Sequence, residues 1–289
     1  MTARGIRSLK GYRLTAGSDF LSPEGIRAAL APEHQDLDIL VYKEIDSTNT
    51  EIKRLLPQYA ARPLLLIAEQ QSQGRGRQGR SFFSPAGTGL YMSLLIHPGA
   101  PMDCALAVTT MASVAAARAI RRLCGREVQI KWVNDLYLEG KKVCGILTEA
   151  ISDFESGTVQ SLIIGIGVNI RTQDFPAELA EIGGSLQSEE LSRKQLAAEI
   201  LNQLLPLTAN LENHSYLADY RRFSLVLGKD ILYYVQGVPH PGLALAIDEQ
   251  GGLLVRTQEG KEITLRSGEI SLRLAEQQQN PPALPLPQS

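Results

Sequence analysis

Residues that build disulfide or metal frameworks are scarce in this chain of 289 residues. Its three cysteines are Cys104, Cys124 and Cys144; none forms a CxxC pair, and their odd number does not suit a disulfide framework. Its four histidines are scattered, without an HxxxH or HExxH pattern. We therefore expect reduced thiols in a cytoplasmic protein, and we predict no transition-metal site built from protein ligands.

The chain also lacks an excess of either charge. It carries 29 Lys and Arg against 31 Asp and Glu, a formal net charge of −2. This balance argues against a protein that coats nucleic acid through bulk charge, although a local basic patch is compatible with it. With 44% hydrophobic and 21% charged residues, the composition is that of a globular protein. The length suggests two domains, or one large domain with a small appendage.

Long hydrophobic segments are missing as well. The N-terminus has no apolar core of about 7–15 residues, as a signal peptide would. The longest uncharged, mostly apolar helical run, Cys104 to Ala117, has 14 residues, whereas a membrane-spanning helix needs about 20. We interpret this run as part of a buried core helix and expect no membrane association.

The order of helical and strand patterns predicts an α+β body rather than a regular βαβα alternation. A capping box of Thr48 and Glu51 predicts the start of one helix, and a turn at Glu139-Gly140 predicts a hairpin. Further helices are predicted over 22–30, 102–123 and 192–213, and strands over 38–42, 64–68, 89–96 and 161–170. We therefore predict an antiparallel or mixed sheet.

After about Arg222 the pattern changes to short strands separated by glycine turns, which is typical of a small β-barrel. The last 14 residues include four Pro and four Gln, and we expect this tail to be disordered. The predicted division is an N-terminal segment (1–37), a main domain (38–221), a β-barrel domain (222–275) and the tail (276–289).

The most distinctive motif is GRGRQGR, residues 74–80. Its glycines fit GxGxxG, but the following SFFSPAGTG cannot continue the helix that a dinucleotide-binding fold requires. Arg75, Arg77 and Arg80 instead alternate with glycine, and each guanidinium offers a planar fork for a carboxylate or phosphate. We interpret the loop as an anion clamp that is mobile when empty and ordered by its ligand. A solvated basic turn is the alternative.

A second motif, KWVNDLYLEGKKVCGIL, gathers polar residues around the predicted hairpin. Because alternate strand residues share a face, Lys142 and Cys144 should point one way and Lys141 and Val143 the other. An inward lysine beside an arginine loop suits a phosphate or an activated carboxyl group. Asp135 could hold Mg²⁺ directly or through water, fix an arginine, or serve only as a turn residue.

The third motif is Ser47-Thr48-Asn49. These residue types are favoured at helix N-caps, so a purely structural cap is a strong alternative. A helix N-terminus with free hydroxyl and amide groups can also bind a polar ligand.

The chain contains the motifs STN, GRGRQGR, KWVNDLY, KKVCGIL and IGIGVNI in this order. This series resembles that of a biotin–protein ligase, the bacterial biotin–[acetyl-CoA-carboxylase] ligase. The resemblance runs from about Tyr42 to about Leu274. It implies a catalytic domain like that of class II aminoacyl-tRNA synthetases, with a mixed sheet, followed by an SH3-like barrel. It also implies that ATP and Mg²⁺ convert biotin to biotinyl-5′-AMP, from which biotin passes to a lysine of a biotin carboxyl carrier protein. A homodimer is compatible with the family likeness.

The resemblance further implies roles for single residues. Biotin would be bound by Ser47, Thr48, Asn49, Gln71, Arg75, Gly76, Arg77, Lys142 and Gly145. ATP would be bound by Arg75, Arg77, Arg80, Phe82, Lys131, Asn134, Asp135, Lys142 and Asn169. Lys142 and Arg77 are the implied catalytic cations, and Asp135 is a candidate base for the carrier lysine. Such cations would offset the repulsion between the biotin carboxylate and the α-phosphate.

Three features depart from the family pattern. Phe82 stands where tryptophan is common, and a phenyl ring should stack on adenine with less area. Val133 stands where proline is common, with little expected effect. LKGYRL (9–14) resembles the last wing strand of a winged helix-turn-helix, yet no helix-turn-helix precedes it. We therefore expect no operator binding of that kind.

Three alternative functions stay open. A lipoate- or octanoate-transferring relative shares the scaffold, but GRGRQGR is characteristic of the biotin branch. A biotin-sensing transcriptional repressor is opposed by the missing helix-turn-helix and by the net charge of −2. A catalytically inactive binding module is opposed by the presence of Lys142 and the three loop arginines.

Overall fold

The computed structural model describes residues 19–101, 103–153, 157–268 and 270–272. The predictions for LKGYRL (9–14) and for the tail (276–289) lie outside the described residues. The α-helices are α1 (Pro23–Arg27), α2 (Thr48–Leu55), α3 (Cys104–Cys124), α4 (Arg193–Thr208) and α5 (Leu217–Arg222). The strands of the first sheet are β1 (Asp38–Ile45), β2 (Leu64–Gln71), β3 (Gly89–Ile96), β4 (Ala100–Pro101), β5 (Gln129–Lys131), β6 (Asp135–Leu138), β7 (Lys141–Asp153) and β8 (Thr158–Asn169).

The main sheet is mixed, as predicted. Its strands follow the order β1-β2-β3-β8-β7-β6-β5, and β4 pairs with β8 outside this path. β1 and β2 run parallel, whereas β2 with β3 and the ladders from β3 through β8 and β7 to β5 are antiparallel. All eight residues of β3 are buried, because the strand lies inside the sheet and is covered on both faces.

The long helix α3 is the core helix that the sequence predicts. By length and composition it could cross a membrane, but 72% of its most apolar 18-residue window is buried inside the fold. It packs against α4 and against strands β7 and β8. Gly125, with φ of 64°, follows its last residue in the left-handed conformation common at helix C-termini.

The predicted capping box at α2 is wrong. Ser47 is the N-cap residue, but no side chain makes a capping hydrogen bond. Thr48 is instead the first helical residue, and both its backbone N–H and its hydroxyl donate to Gln71 Oε1, at 2.8 and 3.1 Å. Glu51 pairs with Arg54 at 2.8 Å. The N-terminus of α2 is thus satisfied by a neighbouring strand, which leaves its polar residues facing a cavity.

Two helices are shorter than predicted. Ser22 caps α1 through Gly25 N–H at 3.1 Å, but the helix ends at Arg27 because the chain must become extended at Ala31 before Pro32. Helix α4 ends at Thr208 rather than 213, two residues after Pro206, which has no N–H for a helical hydrogen bond. One face of α4 is buried and consists of Leu196, Ile200, Leu204 and Leu207.

The predicted hairpin is confirmed, with positive φ at both Glu139 (51°) and Gly140 (78°) between β6 and β7. The predicted strict alternation beyond it is wrong. The register shifts by one residue between Leu136 and Tyr137, so that Val143 and Cys144 are both buried. Lys141 is exposed and Lys142 faces the cavity described below.

The second sheet is a small antiparallel unit, as predicted. It contains β9 (Asp230–Val235), β10 (Val238–Ile247), β11 (Leu253–Thr257), β12 (Glu262–Leu265) and β13 (Ile270–Leu272), in the order β12-β11-β10-β9-β13. The apolar core is continuous with that of the main sheet. Trp132 Nε1 donates to the Gly251 carbonyl at 3.0 Å, and Arg221 Nε donates to the Ile247 carbonyl at 3.0 Å. The predicted domain boundaries stay predictions.

Candidate active site

A cavity of about 490 Å³ opens on the main sheet. Its walls come from the start of α2, the loop 74–82, the β5–β7 region, β8, Gly268, and Ile270 of the second sheet. The volume lies in the range of about 300–1,000 Å³ that is usual for small-molecule sites.

Every residue predicted for the site lies in the wall of this one cavity. These residues are Ser47, Thr48, Asn49, Gln71, Arg75, Gly76, Arg77, Arg80, Phe82, Lys131, Asn134, Asp135, Lys142, Gly145 and Asn169. The sequence separates them by up to 122 positions, so the fold gathers them rather than any local motif. Their individual roles stay predictions.

One end of the cavity is lined by Thr48, Asn49 and Gln71, which form with the buried Ser84 and Ser93 a hydrogen-bonded network here named the polar floor. Gln71 accepts from Thr48 and donates through Nε2 to Ser84 Oγ at 2.8 Å. Ser93 Oγ lies 2.7 Å from Thr48 Oγ1 and 2.6 Å from Asn49 Oδ1. Ser84 and Ser93 were not predicted from the sequence. A serine inside the apolar strand GLYMSLLI was the available signal, because a buried hydroxyl needs a partner.

Beneath the polar floor lies Glu149, which was also not predicted from the sequence. Asn49 Nδ2 donates to Glu149 Oε2 at 2.8 Å and Lys53 Nζ to Oε1 at 2.8 Å, while Arg75 Nη2 lies 3.5 Å from Oε1. Burial acts to raise the pKa of Glu149, but the hydrogen bonds from Lys53 and Asn49, with the charges of Lys53 and Arg75, lower it below the ordinary value. Glu149 is therefore ionised at neutral pH.

The middle of the cavity is lined by glycines of β8. A Cβ atom at Gly165 would lie 2.4 Å from Asn49 Oδ1, and one at Gly167 would lie 2.5 Å from the ring of Phe82. Only glycine lets the floor and the ring approach the strand so closely. The Phe82 ring is half-buried and lies 6.4 Å from the ring of Tyr91. The two glycines of IGIGVN thus indicate in the sequence that other side chains pack closely against this strand.

The arginine loop forms a small hairpin. The Gly76 N–H donates to the Arg80 carbonyl at 2.7 Å, and the Phe82 N–H donates to the Gly74 carbonyl at 2.8 Å. Arg77 Nη1 donates to Asn134 Oδ1 at 3.1 Å, which brings the loop to the β5–β7 region. The predicted ordering of this loop by a ligand stays a prediction.

The other end of the cavity, here named the charged end, consists of Arg77, Asn134, Asp135 and Lys142. Lys142 Nζ lies 2.7 Å from Asp135 Oδ1, so that the ion-pair partner of Asp135 is a lysine. Asn134 is held by a bond from its Nδ2 to the Ile146 carbonyl at 2.7 Å. The side chains of Lys142 and Asp135 are 31% and 21% exposed, so both can exchange partners with a ligand.

A loop after β8 closes the wall beside the charged end. Lys142 N–H donates to the Ile182 carbonyl at 2.8 Å, and Gly184 N–H donates to the Lys142 carbonyl at 2.9 Å. Asn169 Nδ2 donates to the Gly184 carbonyl at 3.0 Å, but its buried Oδ1 has no hydrogen-bond partner among the described residues. Because buried acceptors are normally paired, this oxygen suits a donor group of a ligand.

The described residues contain no group of three or more His, Cys, Asp or Glu that could hold a metal ion. Asp135 is the carboxylate that faces the charged end, and one carboxylate together with substrate phosphates is a usual setting for Mg²⁺. The three cysteines are free, and burial raises the pKa of Cys144 well above its ordinary value.

A mixed α+β sheet whose cavity joins neutral hydrogen-bonding groups to clustered cations defines a small-molecule enzyme domain. Residues 41–169 match the biotin/lipoate A/B protein ligase family, and residues 241–273 match the biotin protein ligase C-terminal domain. The bifunctional ligase/repressor BirA of Bacillus spizizenii is 34% identical over 87% of this chain and 79% of the relative. The chain belongs to the biotin protein ligase family.

Two further comparisons agree with this assignment. The biotin–[acetyl-CoA-carboxylase] ligase of Paracoccus denitrificans is 32% identical over 75% of this chain and 94% of the relative. The biotin protein ligase of Aquifex aeolicus, solved in complex with biotin and ATP, has 27% identity and a TM-score of 0.68, covering 82% of this chain and 98% of that chain. The predicted family and fold are confirmed.

Proposed function

We propose that this chain joins biotin to ATP and then transfers biotin to a lysine of a biotin carboxyl carrier protein, that of acetyl-CoA carboxylase or a similar carboxylase. The observation that carries the proposal is one cavity with a neutral polar floor at one end and cations at the other. The relative from Aquifex aeolicus is described with biotin and ATP, and the name of the Paracoccus relative states its acetyl-CoA-carboxylase substrate.

The polar floor suits the ureido ring of biotin, which is neutral and offers both donors and an acceptor. Thr48, Asn49 and Gln71 supply matching groups whose orientations are already fixed by their own hydrogen bonds. Fixed groups lose little entropy on binding, which favours affinity. The apolar chain of biotin then crosses the glycine strand toward the charged end.

In the first step a biotin carboxylate oxygen attacks the α-phosphorus of ATP. A new P–O bond forms, the bond from the α-phosphorus to the bridging oxygen breaks, and pyrophosphate leaves with the electron pair. Both reactants are anionic, so Arg75, Arg77 and Lys142 lower the barrier by offsetting charge that develops at the phosphate. Lys142, which pairs with Asp135 at 2.7 Å, can make this contact by turning its ammonium group toward the phosphate.

The Mg²⁺ that accompanies ATP would neutralise phosphate charge, and Asp135 is the residue we propose to hold it, directly or through water. Asn169 and Phe82 would meet the nucleotide. Asn169 Oδ1 offers an unpaired buried acceptor, and the ring of Phe82 offers a stacking face.

In the second step the neutral amine of the carrier lysine attacks the acyl carbon of biotinyl-5′-AMP. An amide bond forms, the bond from the acyl carbon to the phosphate oxygen breaks, AMP leaves, and the amine gives up a proton. Asp135 is the candidate base, because it lies at the charged end and is freed when Lys142 turns to the phosphate.

Pyrophosphate release tests the first step. The purified chain is supplied with Mg-ATP and, in parallel, with biotin, lipoate or octanoate. Release with biotin alone supports the proposal, whereas release with lipoate or octanoate in its place would contradict it. Mass spectrometry of a purified biotin carboxyl carrier domain then tests the second step, since one biotinyl group should be added to one lysine and should be lost when that lysine is replaced by arginine.

Three related expectations stay predictions: the cytoplasmic location, a homodimer and the lack of operator binding. Relatives named bifunctional ligase/repressor make the last of these worth a direct test. Sedimentation velocity with and without biotinyl-5′-AMP would test the homodimer.

A further inference from the structure

Glu149 lies in the strand β7 and contacts two separate parts of the cavity. Its Oε2 accepts from Asn49 of the polar floor, and its Oε1 accepts from Lys53 and faces Arg75 of the arginine loop. The carboxylate side chain is 19% exposed, so these contacts are partly shielded from water. Neither chemical step described above uses this residue.

The position of Glu149 is set by the sheet. Its strand pairs on one side with β8, where Glu149 lies opposite Ile163, and β7 and β8 form the longest ladder of the sheet. Helix α2 and the arginine loop are separate segments of chain that meet at this carboxylate. A strand in the interior of the sheet therefore presents the charge of Glu149 both to Asn49 of the polar floor and to Arg75 of the arginine loop.

The hydrogen bonds at Asn49 show what the charge does there. Asn49 donates to Glu149 through Nδ2 and presents Oδ1 to Ser93 Oγ at 2.6 Å. If the side-chain amide of Asn49 were rotated by about 180°, its oxygen would face the Glu149 carboxylate, and the two would repel each other. The carboxylate, together with the Leu147 carbonyl that accepts from Asn49 Nδ2 at 3.3 Å, thus fixes which atom of Asn49 points into the floor.

The contact with Arg75 is of a different kind. Arg75 Nη2 lies 3.5 Å from Glu149 Oε1, and the arginine side chain is 45% exposed. Ion pairs this exposed are weak. A weak anchor suits a loop that must open to admit substrates and release products, and must close over the intermediate.

We propose that Glu149 is a positioning residue that orients Asn49 in the polar floor and anchors Arg75, so that the order of the arginine loop depends on this carboxylate. The part of the inference that concerns biotinyl-5′-AMP rests on the proposed function; the part that concerns the loop does not.

Limited trypsin digestion tests the anchor without any catalysis, because Arg75, Arg77 and Arg80 are themselves trypsin sites. Glu149→Gln keeps an acceptor for Asn49 and removes the charge. We expect up to about fivefold faster cleavage inside residues 74–80, read by mass spectrometry, in line with the loss of one exposed ion pair. Lys53→Met is the matched control: it removes the other cation at Oε1, and loop cleavage should be equal or slower.

Kinetics separate positioning from a general loss of structure. Glu149→Gln should release biotinyl-5′-AMP faster, while its KM for biotin should change less than that of Glu149→Ala, because the amide oxygen of glutamine can still accept from Asn49. Glu149→Ala should in addition raise the KM for biotin. If Glu149→Ala fails to fold, Glu149→Gln alone carries the test.

Unchanged loop cleavage and unchanged release of the intermediate in Glu149→Gln would overturn the proposal. Faster cleavage in Lys53→Met to the same extent would also overturn it, because the salt bridge on α2 would then be the cause. If the original protein releases no pyrophosphate with biotin, the proposed function fails, while the trypsin result still decides whether Glu149 anchors the loop.

Discussion

The two ends of the cavity are built in opposite ways. Thr48, Asn49 and Ser93 of the polar floor are 4%, 3% and 0% exposed and bond to one another or to buried neighbours. At the charged end, Lys142 and Asp135 are 31% and 21% exposed, and each is the partner of the other. The floor is preorganised for a neutral ligand, whereas the charged end must exchange an internal ion pair for a ligand.

This difference has a kinetic meaning. A preorganised floor acts on ground-state binding, so that changes there should appear chiefly in the KM for biotin. Cations that meet the phosphate as charge develops act on the transition state, so that changes there should appear chiefly in kcat. The following variants test this contrast.

The largest effect should come from Lys142→Ala, which removes a cation from the charged end. We expect pyrophosphate release to fall by about 10²–10³-fold, the usual cost of removing one electrostatic contact to the transition state. The matched control is Lys141→Ala, because Lys141 is exposed and bonds only the Ala180 carbonyl, at 2.9 Å, among its described contacts. A near-normal rate in Lys142→Ala would show that the charge acts elsewhere.

Arg77→Gly should have the next largest effect. Arg77 holds the loop to Asn134 through a 3.1 Å hydrogen bond. Without it we expect biotinyl-5′-AMP still to form but to leave about 10–100-fold faster, which corresponds to one or two charge-assisted hydrogen bonds. Release of labelled intermediate through a desalting column measures this rate. Tight retention of the intermediate would contradict the prediction.

Alanine substitutions at two glycines would compare how rigidly the two ends of the cavity are packed. A Cβ at Gly165 would lie 2.4 Å from Asn49 Oδ1 in the floor, whereas one at Gly145 would lie 3.2 Å from the flexible Lys142 side chain and from the Phe82 ring. We expect Gly165→Ala to lower the free energy of unfolding by about 1–3 kcal/mol and to raise the KM for biotin, and Gly145→Ala to cost less. Urea denaturation measures the difference, and equal costs would refute the contrast in stiffness.

The smallest effect concerns acid stability. The pKa of Glu149 is lowered in the folded protein, so its carboxylate stabilises the fold above the unfolded value of about 4.5, and this stabilisation is lost as the pH falls through the lower folded value. Glu149→Gln should therefore lose less stability than the original protein between pH 5 and the folded pKa. Urea midpoints at about pH 5 and pH 3 would check this sign; identical losses would contradict it.

Much of the fold could be predicted from the sequence because its signals are local. GLYMSLLI predicts β3 at the bounds that the structure has, and Glu139-Gly140 predicts the hairpin turn. The errors lie where tertiary contacts override a local pattern. Thr48 looks like half of a capping box but gives its hydroxyl to Gln71, and the bulge near Leu136 breaks the alternation that strand periodicity implies.

The candidate site shows the same division between local signals, which predict well, and tertiary contacts, which do not. Its predicted residues all line the cavity, because the motifs that carry the family resemblance are those that surround it. Glu149 could not be found in this way. It stands among ordinary strand residues in ILTEAI, and its importance comes from contacts with Asn49 and Arg75, which lie far away in the chain. The apolar wall of Phe175, Leu179 and Ile182 was missed for the same reason.

One feature of the cavity bears on how the protein is made. The wall begins with Ser47 and is completed by Gly268 and by Ile270, the first residue of the last strand of the second sheet. During synthesis the residues of the main sheet are therefore made before those that complete the wall. A nascent chain would present the polar floor and the arginine loop long before it could enclose an intermediate. The wall of the cavity is thus complete only when the last strand of the second sheet has been made.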